Sequence, residues 1–160
     1  MNHPCAVTLR PARVQDAPVM AQMSRELIEA GLAWRYTPRR MTTLIDDAET
    51  VALVACGGSR IEGFAVMQFG DVHAHLALLC VQPAQQLRGI GRRLNDWLLE
   101  SARVAGMASI RLELRADNAA ALSFYRRLGF AETQWVPGYY DGHIAARRMT
   151  LVLRSDTGRL

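Results

Sequence analysis

The spacing of apolar positions changes several times along the chain, and each change marks an element. Residues 7–9 read as a short first strand. After Asp16, Met20, Met23, Leu27 and Ile28 recur at helical spacing as far as Gly31, which predicts a helix with a glycine stop. Met41, Leu44 and Ile45 predict a second helix after Pro38. Two strand-like runs, 51–56 and 61–69, are separated by Gly57-Gly58 and read as a hairpin. Gly70-Asp71 marks the next turn, and 76–81 reads as a third buried strand that stops before Pro83. Beyond Gly89 the period is helical again: Leu94, Trp97, Leu98, Ser101 and Ala105 make one face, ended by Gly106. Ile110, Leu112 and Leu114 then alternate with Arg111, Glu113 and Arg115, as in a strand with one apolar face. Residues 119–128 predict a fourth helix, capped by Asp117 or Asn118 and terminated by Gly129. Strands over 130–136 and 145–153 flank Asp141-Gly142, a strong hairpin signal. An antiparallel meander thus feeds one strand–helix–strand crossover, followed by a helix and a hairpin. The expectation is an α/β protein (an α+β mixed sheet with helices on its faces) of about seven strands and about four helices.

Composition narrows the class. With 160 residues, no internal repeat and no linker, one domain over 1–160 is expected. The longest apolar run, 76–81, is far too short to span a membrane, and the N-terminal stretch lacks a basic-then-apolar signal region, so a cytoplasmic protein with no membrane partner is expected. Cys5, Cys56 and Cys80 are odd in number and lack metal or redox spacing, which argues against a disulfide framework and against a metal site. The charge is 19 basic minus 15 acidic, +4, and every basic residue is Arg. Guanidinium groups suit bidentate contacts to phosphate or carboxylate. A balance this small permits an anionic ligand without calling for nucleic acid. A homodimer stays open.

The chemistry-bearing stretch is Val81-Gln82-Pro83-Ala84-Gln85-Gln86-Leu87-Arg88-Gly89-Ile90-Gly91-Arg92, between a buried strand and an amphipathic helix. Gly89 and Gly91 let a ligand approach the backbone, and a helix start offers unpaired N–H groups and the positive end of its dipole. Together these make an anion site suited to phosphate, with Arg88, Arg92 and Arg93 adding charge. Leu94 stands where a dinucleotide fingerprint would need its third glycine, and a chain without Lys has no Walker lysine.

Gln86-x-x-Gly89-x-Gly91 after the Val81-x-Pro83 strand end resembles the acyl-CoA pyrophosphate loop of the GNAT N-acyltransferase superfamily. Leu112-Glu113-Leu114-Arg115-Ala116-Asp117-Asn118 and Ser123-Phe124-Tyr125-Arg126-Arg127-Leu128-Gly129-Phe130 resemble that superfamily's next two motifs, and Thr8-Leu9-Arg10-Pro11-Ala12 with Asp16 resembles its opening. The run from Glu113 to Phe130 and the pair Tyr139-Tyr140 look most like the bacterial ribosomal-protein alanine N-acetyltransferases, whereas segment 34–38 departs from their loop between the first helices. The resemblance implies a GNAT-like fold and transfer of acetyl from acetyl-CoA, without metal, to an amine. The favoured amine is a protein N-terminus; a small-molecule amine and a non-catalytic CoA-binding module are the alternatives. It also implies acetyl-CoA contacts at Leu79, Cys80 and Val81, at Gln86, Leu87, Arg88, Gly89, Ile90, Gly91 and Arg92, and at Asn118 and Tyr125, in a cleft between the 76–81 and 110–114 strands.

Direct transfer needs an amine stripped of its proton, a donor for the oxyanion and a proton for the leaving thiolate. Tyr125 resembles the superfamily's general acid; a phenol near pKa 10 matches a thiolate near 8.5. The alternative is a core aromatic beside Phe124 and Leu128. Glu113 is the first candidate base, on the polar face of its strand. Arg111 and Arg115, two residues away on that face, either make it an ordinary ion-pair member or hold it ionised. His75, with His73 on the same face, is the rival base. A backbone N–H near Leu79 or Cys80 is the expected oxyanion donor, and Cys80 itself reads as a small buried hydrophobe. Asn118 reads as a helix cap, and Trp135, Tyr139 and Tyr140 as substrate-side hairpin residues.

Overall fold

A computed structural model of the chain describes residues 6–154; Cys5 and the start of the chain lie outside them. The elements are β1 (Val7–Pro11), α1 (Ala17–Met23), α2 (Pro38–Asp46), β2 (Thr50–Gly57), β3 (Arg60–Phe69), β4 (His73–Val81), α3 (Ile90–Val104), β5 (Ser109–Arg115), α4 (Ala119–Arg127), β6 (Ala131–Tyr140) and β7 (Ile144–Val152). The seven strands form a mixed sheet in the order β1-β2-β3-β4-β5-β7-β6. The chain divides into two compact units: one runs to Gln68 and resumes over Leu78–Leu98, and the other comprises Phe69–Ala77 and the chain from Leu99 onward. Each is described in turn.

In the first unit β1, β2 and β3 are antiparallel neighbours, with Leu9 opposite Ala55 and Val54 opposite Phe64. Leu53, Val54, Ala55, Phe64, Ala65, Val66 and Met67 are all buried. Burial of consecutive residues means that both faces of these strands are covered, so their sequence reads as a continuous apolar run rather than an alternation. Gly63 makes room for the end of β4: a Cβ there would lie 3.0 Å from the Cys80 carbonyl oxygen, and Gln82 N donates to the Glu62 carbonyl at 2.8 Å. Met20 of α1 and Met41 and Leu44 of α2 join the core. The predicted first helix is interrupted. Its regular part ends at Met23, and Ser24–Ile28 form a π-helical turn in which Glu29 N donates to the Ser24 carbonyl. Glu29 and Ser24 are buried there, joined by Ser24 Oγ donating to Glu29 Oε2 at 2.9 Å. The widened turn brings that carboxylate against Ser24, and it also accepts from Arg35 N at 2.8 Å and Tyr36 N at 3.2 Å.

In the second unit the start of β4 runs parallel to β5, the geometry that a crossover through α3 requires. Ile110, Leu112 and Leu114 are buried and Arg111 is exposed, as the alternation predicts. The hairpin reads correctly at Asp141-Gly142, but it folds back so that β7 pairs with β5 and β6 becomes the edge. An edge position tolerates Pro137 within β6, where the register slips between Val136 and Tyr140. The buried face of α3, whose residues up to Leu98 belong to the first unit, differs from the expected one: Ile90, Leu94, Leu98 and Ala102 are buried, whereas Trp97 is 39% exposed. No helix among the described residues is long and apolar enough to cross a membrane.

Candidate active site

The glycine loop joins the end of β4 to α3. Gln86 Nε2 donates to the Val81 carbonyl at 3.2 Å, which ties the loop to the strand it leaves. Leu87 has φ +64 and Gly89 φ +81, with Arg88 between them outside the left-handed region. Alternation of this kind turns successive backbone N–H groups toward one side and makes an anion-binding concavity. Leu87 is fully exposed, so no packing explains its left-handed backbone, a conformation that costs a non-glycine residue about 1–2 kcal/mol. A Cβ added to Gly89 meets nothing within 4 Å. The first N–H groups of α3 follow directly, without intrahelical acceptors. Ile90 is buried and anchors the helix start, while Gly91 is half-buried and Arg92 exposed. Arg93 is engaged elsewhere: its Nη1 donates to the Val7 carbonyl at 2.8 Å. The residues present fit a pyrophosphate: backbone N–H groups would hold it, with the exposed Arg92 and with Arg88, whose Nη1 donates to Gln85 Oε1 at 3.3 Å, adding charge.

Cys80 is buried, and burial pushes its thiol far above the usual range, so it is a core hydrophobe rather than a thiolate. Leu79 points to the opposite side of β4 and is half-buried. Among the described residues no group of His, Cys, Asp and Glu is placed to hold a metal ion.

The titratable cluster lies in the second unit. His75 is the last residue of β4 paired with β5, opposite Arg111. Its Nε2 lies 2.6 Å from Glu113 Oε2, so the two candidate bases are one hydrogen-bonded pair. Arg148 Nε donates to Glu113 Oε1 at 3.0 Å. Of the two neighbours expected from the sequence, Arg111 is engaged elsewhere. Its Nη2 donates to His73 Nε2 at 3.0 Å, which leaves the His73 proton on Nδ1 to be donated to Ser109 Oγ at 2.6 Å. Burial works against a charge on Glu113, but the hydrogen bonds and charges of His75 and Arg148 outweigh it and hold the carboxyl below its ordinary range. Sequence reasoning misses Arg148 and its partner Gln134, because nothing local marks two residues of the last hairpin as neighbours of Glu113.

Asn118 caps α4, its Oδ1 accepting from Ala121 N at 3.1 Å. Tyr125 is buried two residues from the end of that helix, edge-on to Phe124 and Phe130 with ring centroids 5.0 and 5.5 Å away. The aromatic packing fixes the phenol ring in position. Trp135 is half exposed under the Arg147 guanidinium, and Tyr139 meets Tyr140 edge-on at 4.9 Å.

Comparison with known proteins identifies the family and the fold. Residues 19–153 match the family model described as an acetyltransferase (GNAT) domain. The chain is 38% identical over 95 residues to the [ribosomal protein bS18]-alanine N-acetyltransferase of Salmonella typhimurium, a match covering 58% of this chain and 64% of that protein. It is 30% identical over 121 residues to N-alpha-acetyltransferase 30 of Schizosaccharomyces pombe, covering 72% and 80%. The crystal structure of the ribosomal-protein-S18-alanine N-acetyltransferase from Escherichia coli superposes with a TM-score of 0.81 at 26% identity, over 97% of this chain and 99% of that one. A match over most of the length, a relative at this level of identity and a fold of this strand order lead to one conclusion: the chain belongs to the GNAT acetyltransferase domain family.

Proposed function

We propose that the chain is an acetyl-CoA-dependent N-acetyltransferase, a single cytoplasmic domain that transfers acetyl directly to a primary amine, with the N-terminus of a protein as its favoured acceptor. The observation that carries the acceptor class is the pair of relatives above: one is named for an alanine of a ribosomal protein and the other for an N-alpha group. Bound acetyl-CoA supplies the acetyl group as a thioester. The loop of Gln86, Leu87, Arg88, Gly89, Ile90, Gly91 and Arg92 holds its pyrophosphate, and Asn118 adds a contact beyond its capping bond. The Glu113–His75 pair removes the ammonium proton. The freed nitrogen bonds the carbonyl carbon, whose oxygen is received by a backbone N–H near Leu79 or Cys80, and the carbon–sulfur bond breaks. Tyr125 gives its phenolic proton to the leaving sulfur and recovers one from solvent. The reading calls on no metal, nucleic acid or membrane.

The test is CoA release from acetyl-CoA across a panel of peptides with different N-termini, free amino acids and polyamines. Turnover is expected with peptides bearing a free α-amine and lost when that amine is blocked. Turnover confined to the small amines would move the acceptor to that class, and CoA binding without turnover on any amine would refute the enzyme.

A further inference from the structure

A row of polar side chains crosses four strands. Gln134 of β6 stands opposite Arg148 of β7, and Arg148 opposite Glu113 of β5. Residues directly opposite in adjacent strands share a face and lie within side-chain reach. Here they are bonded end to end. Arg148 Nη1 donates to Gln134 Oε1 at 2.6 Å, Arg148 Nε to Glu113 Oε1 at 3.0 Å, and His75 Nε2 lies 2.6 Å from Glu113 Oε2. Both oxygens of Glu113 therefore have a partner. Access runs the other way: the Glu113 side chain is 11% exposed and that of His75 is 42% exposed.

An ionised carboxylate only accepts, so the hydrogen between the pair sits on His75 Nε2 whether or not the ring is charged, and in the neutral form of the ring the lone pair is at Nδ1. Building on the N-acetyltransferase reading, we infer that His75 Nδ1 is the atom that takes the amine proton, that Glu113 orients the ring through Nε2–H, and that Arg148 is a positioning residue that holds Glu113. The ammonium N–H bond breaks and its proton becomes Nδ1–H. The imidazolium stays bonded to Glu113 through Nε2–H, and the Nδ1 proton passes to water after transfer. Among the described residues, the charged and titratable groups bonded into this cluster or paired with His75 are Glu113 and Arg111 of β5, Arg148 of β7 and His73 of its own strand. His73, held by Arg111 and Ser109, has the opposite tautomer.

The experiment reads the ring as well as the rate. Long-range proton–nitrogen NMR of the ligand-free protein reports the tautomer of each imidazole, with His75→Gln assigning the signal. The neutral His75 ring is expected as the Nε2–H form and His73, an internal reference, as the Nδ1–H form. Arg148→Gln removes a cation, so the His75 midpoint and the acidic limb of kcat/KM on an N-terminal peptide should both rise by about 0.5 pH unit. Its kcat should fall about tenfold at little change in KM, and Arg148→Lys should restore most of it. Glu113→Gln removes an anion, so the midpoint and the limb should fall and both tautomers should appear. His75→Gln should lose the limb altogether. A purely structural Arg148 would lower the melting temperature and leave the midpoint unmoved. That result, a wild-type Nδ1–H tautomer at His75, or a wild-type rate in His75→Gln would each overturn the inference. Failure of every amine to react would sink the enzyme reading and this role with it, while the NMR arm would still decide whether the His75–Glu113 pair exists.

Discussion

Substitution of Gly89 separates the strain of the loop from its contact with a ligand. Gly89 has φ +81, and a Cβ built on it meets no heavy atom within 4 Å, so alanine there brings a backbone penalty and no clash. An L-residue in the left-handed region costs about 1–2 kcal/mol, and asparagine costs less than alanine. In a chain of this length 1 kcal/mol moves the melting temperature by about 2–4 °C. If the loop keeps its shape, Gly89→Ala should therefore melt about 2–8 °C lower than the wild type. If the loop relaxes instead, the same energy is due when the pyrophosphate binds. Because 1.4 kcal/mol is tenfold in affinity, the Kd for CoA should then rise about 5- to 30-fold. The two losses share one source, so together they should amount to about 1–2 kcal/mol. Gly89→Asn should recover most of it. Gly89→Glu adds a carboxylate among the N–H groups and arginines that face the anion, and should abolish CoA binding in a folded protein. The assay is a thermal melt and a calorimetric CoA titration on each variant. Wild-type melting and wild-type affinity in both Gly89→Ala and Gly89→Glu would refute the loop assignment.

Two further outcomes are expected. Tyr125→Phe keeps the edge-on packing against Phe124 and Phe130 but removes the phenolic proton; turnover should fall roughly 100- to 10,000-fold at nearly unchanged CoA affinity, and an equal rate would return Tyr125 to the core. Asp16 accepts from both Arg10 nitrogens, at 2.7 and 3.0 Å, and from Arg13 N; the Arg10 hydrogen bonds foremost hold its carboxyl below the ordinary range despite burial. Its contribution is therefore full above the unfolded value of about 3.9 and is lost as pH falls through the lower folded value. Asp16→Asn should cost about 2 kcal/mol at neutral pH, with the gap to wild type closing in denaturant titrations taken down through that acid range.

Elements with local causes were legible in the chain. The Gly57-Gly58 and Asp141-Gly142 turns, the Asn118 cap, the alternation of β5 and the glycine loop before α3 each depend on residues within a few positions of one another, and each is found where the sequence places it. The departures have non-local causes. The widened turn at Ser24–Ile28 forms around the buried Glu29 carboxylate, which also accepts from Arg35 N and Tyr36 N, and no periodicity reports that burial. The left-handed Leu87 is invisible because leucine carries no signal for positive φ.

The candidate site divides the same way. Glu113 and His75 are each identifiable as candidate acid–base residues from residue type and strand face, and along the strand Arg111 and Arg115 are the natural neighbours of Glu113. The fold gives it His75 and Arg148, 38 and 35 residues away. The reason is geometric. Arg148 stands directly opposite Glu113 on the next strand, about 4.5–5.5 Å away at Cβ, closer than a same-strand residue a full pleat repeat away, while His75, opposite Arg111, reaches Glu113 along the diagonal. Composition and period determine that Glu113 faces the polar side of β5. Which cation and which imidazole meet it there is settled only by the register of β7 on β5 and of β4 beside them. That register belongs to the folded sheet, because a shift of one residue would turn the same side chains to the other face.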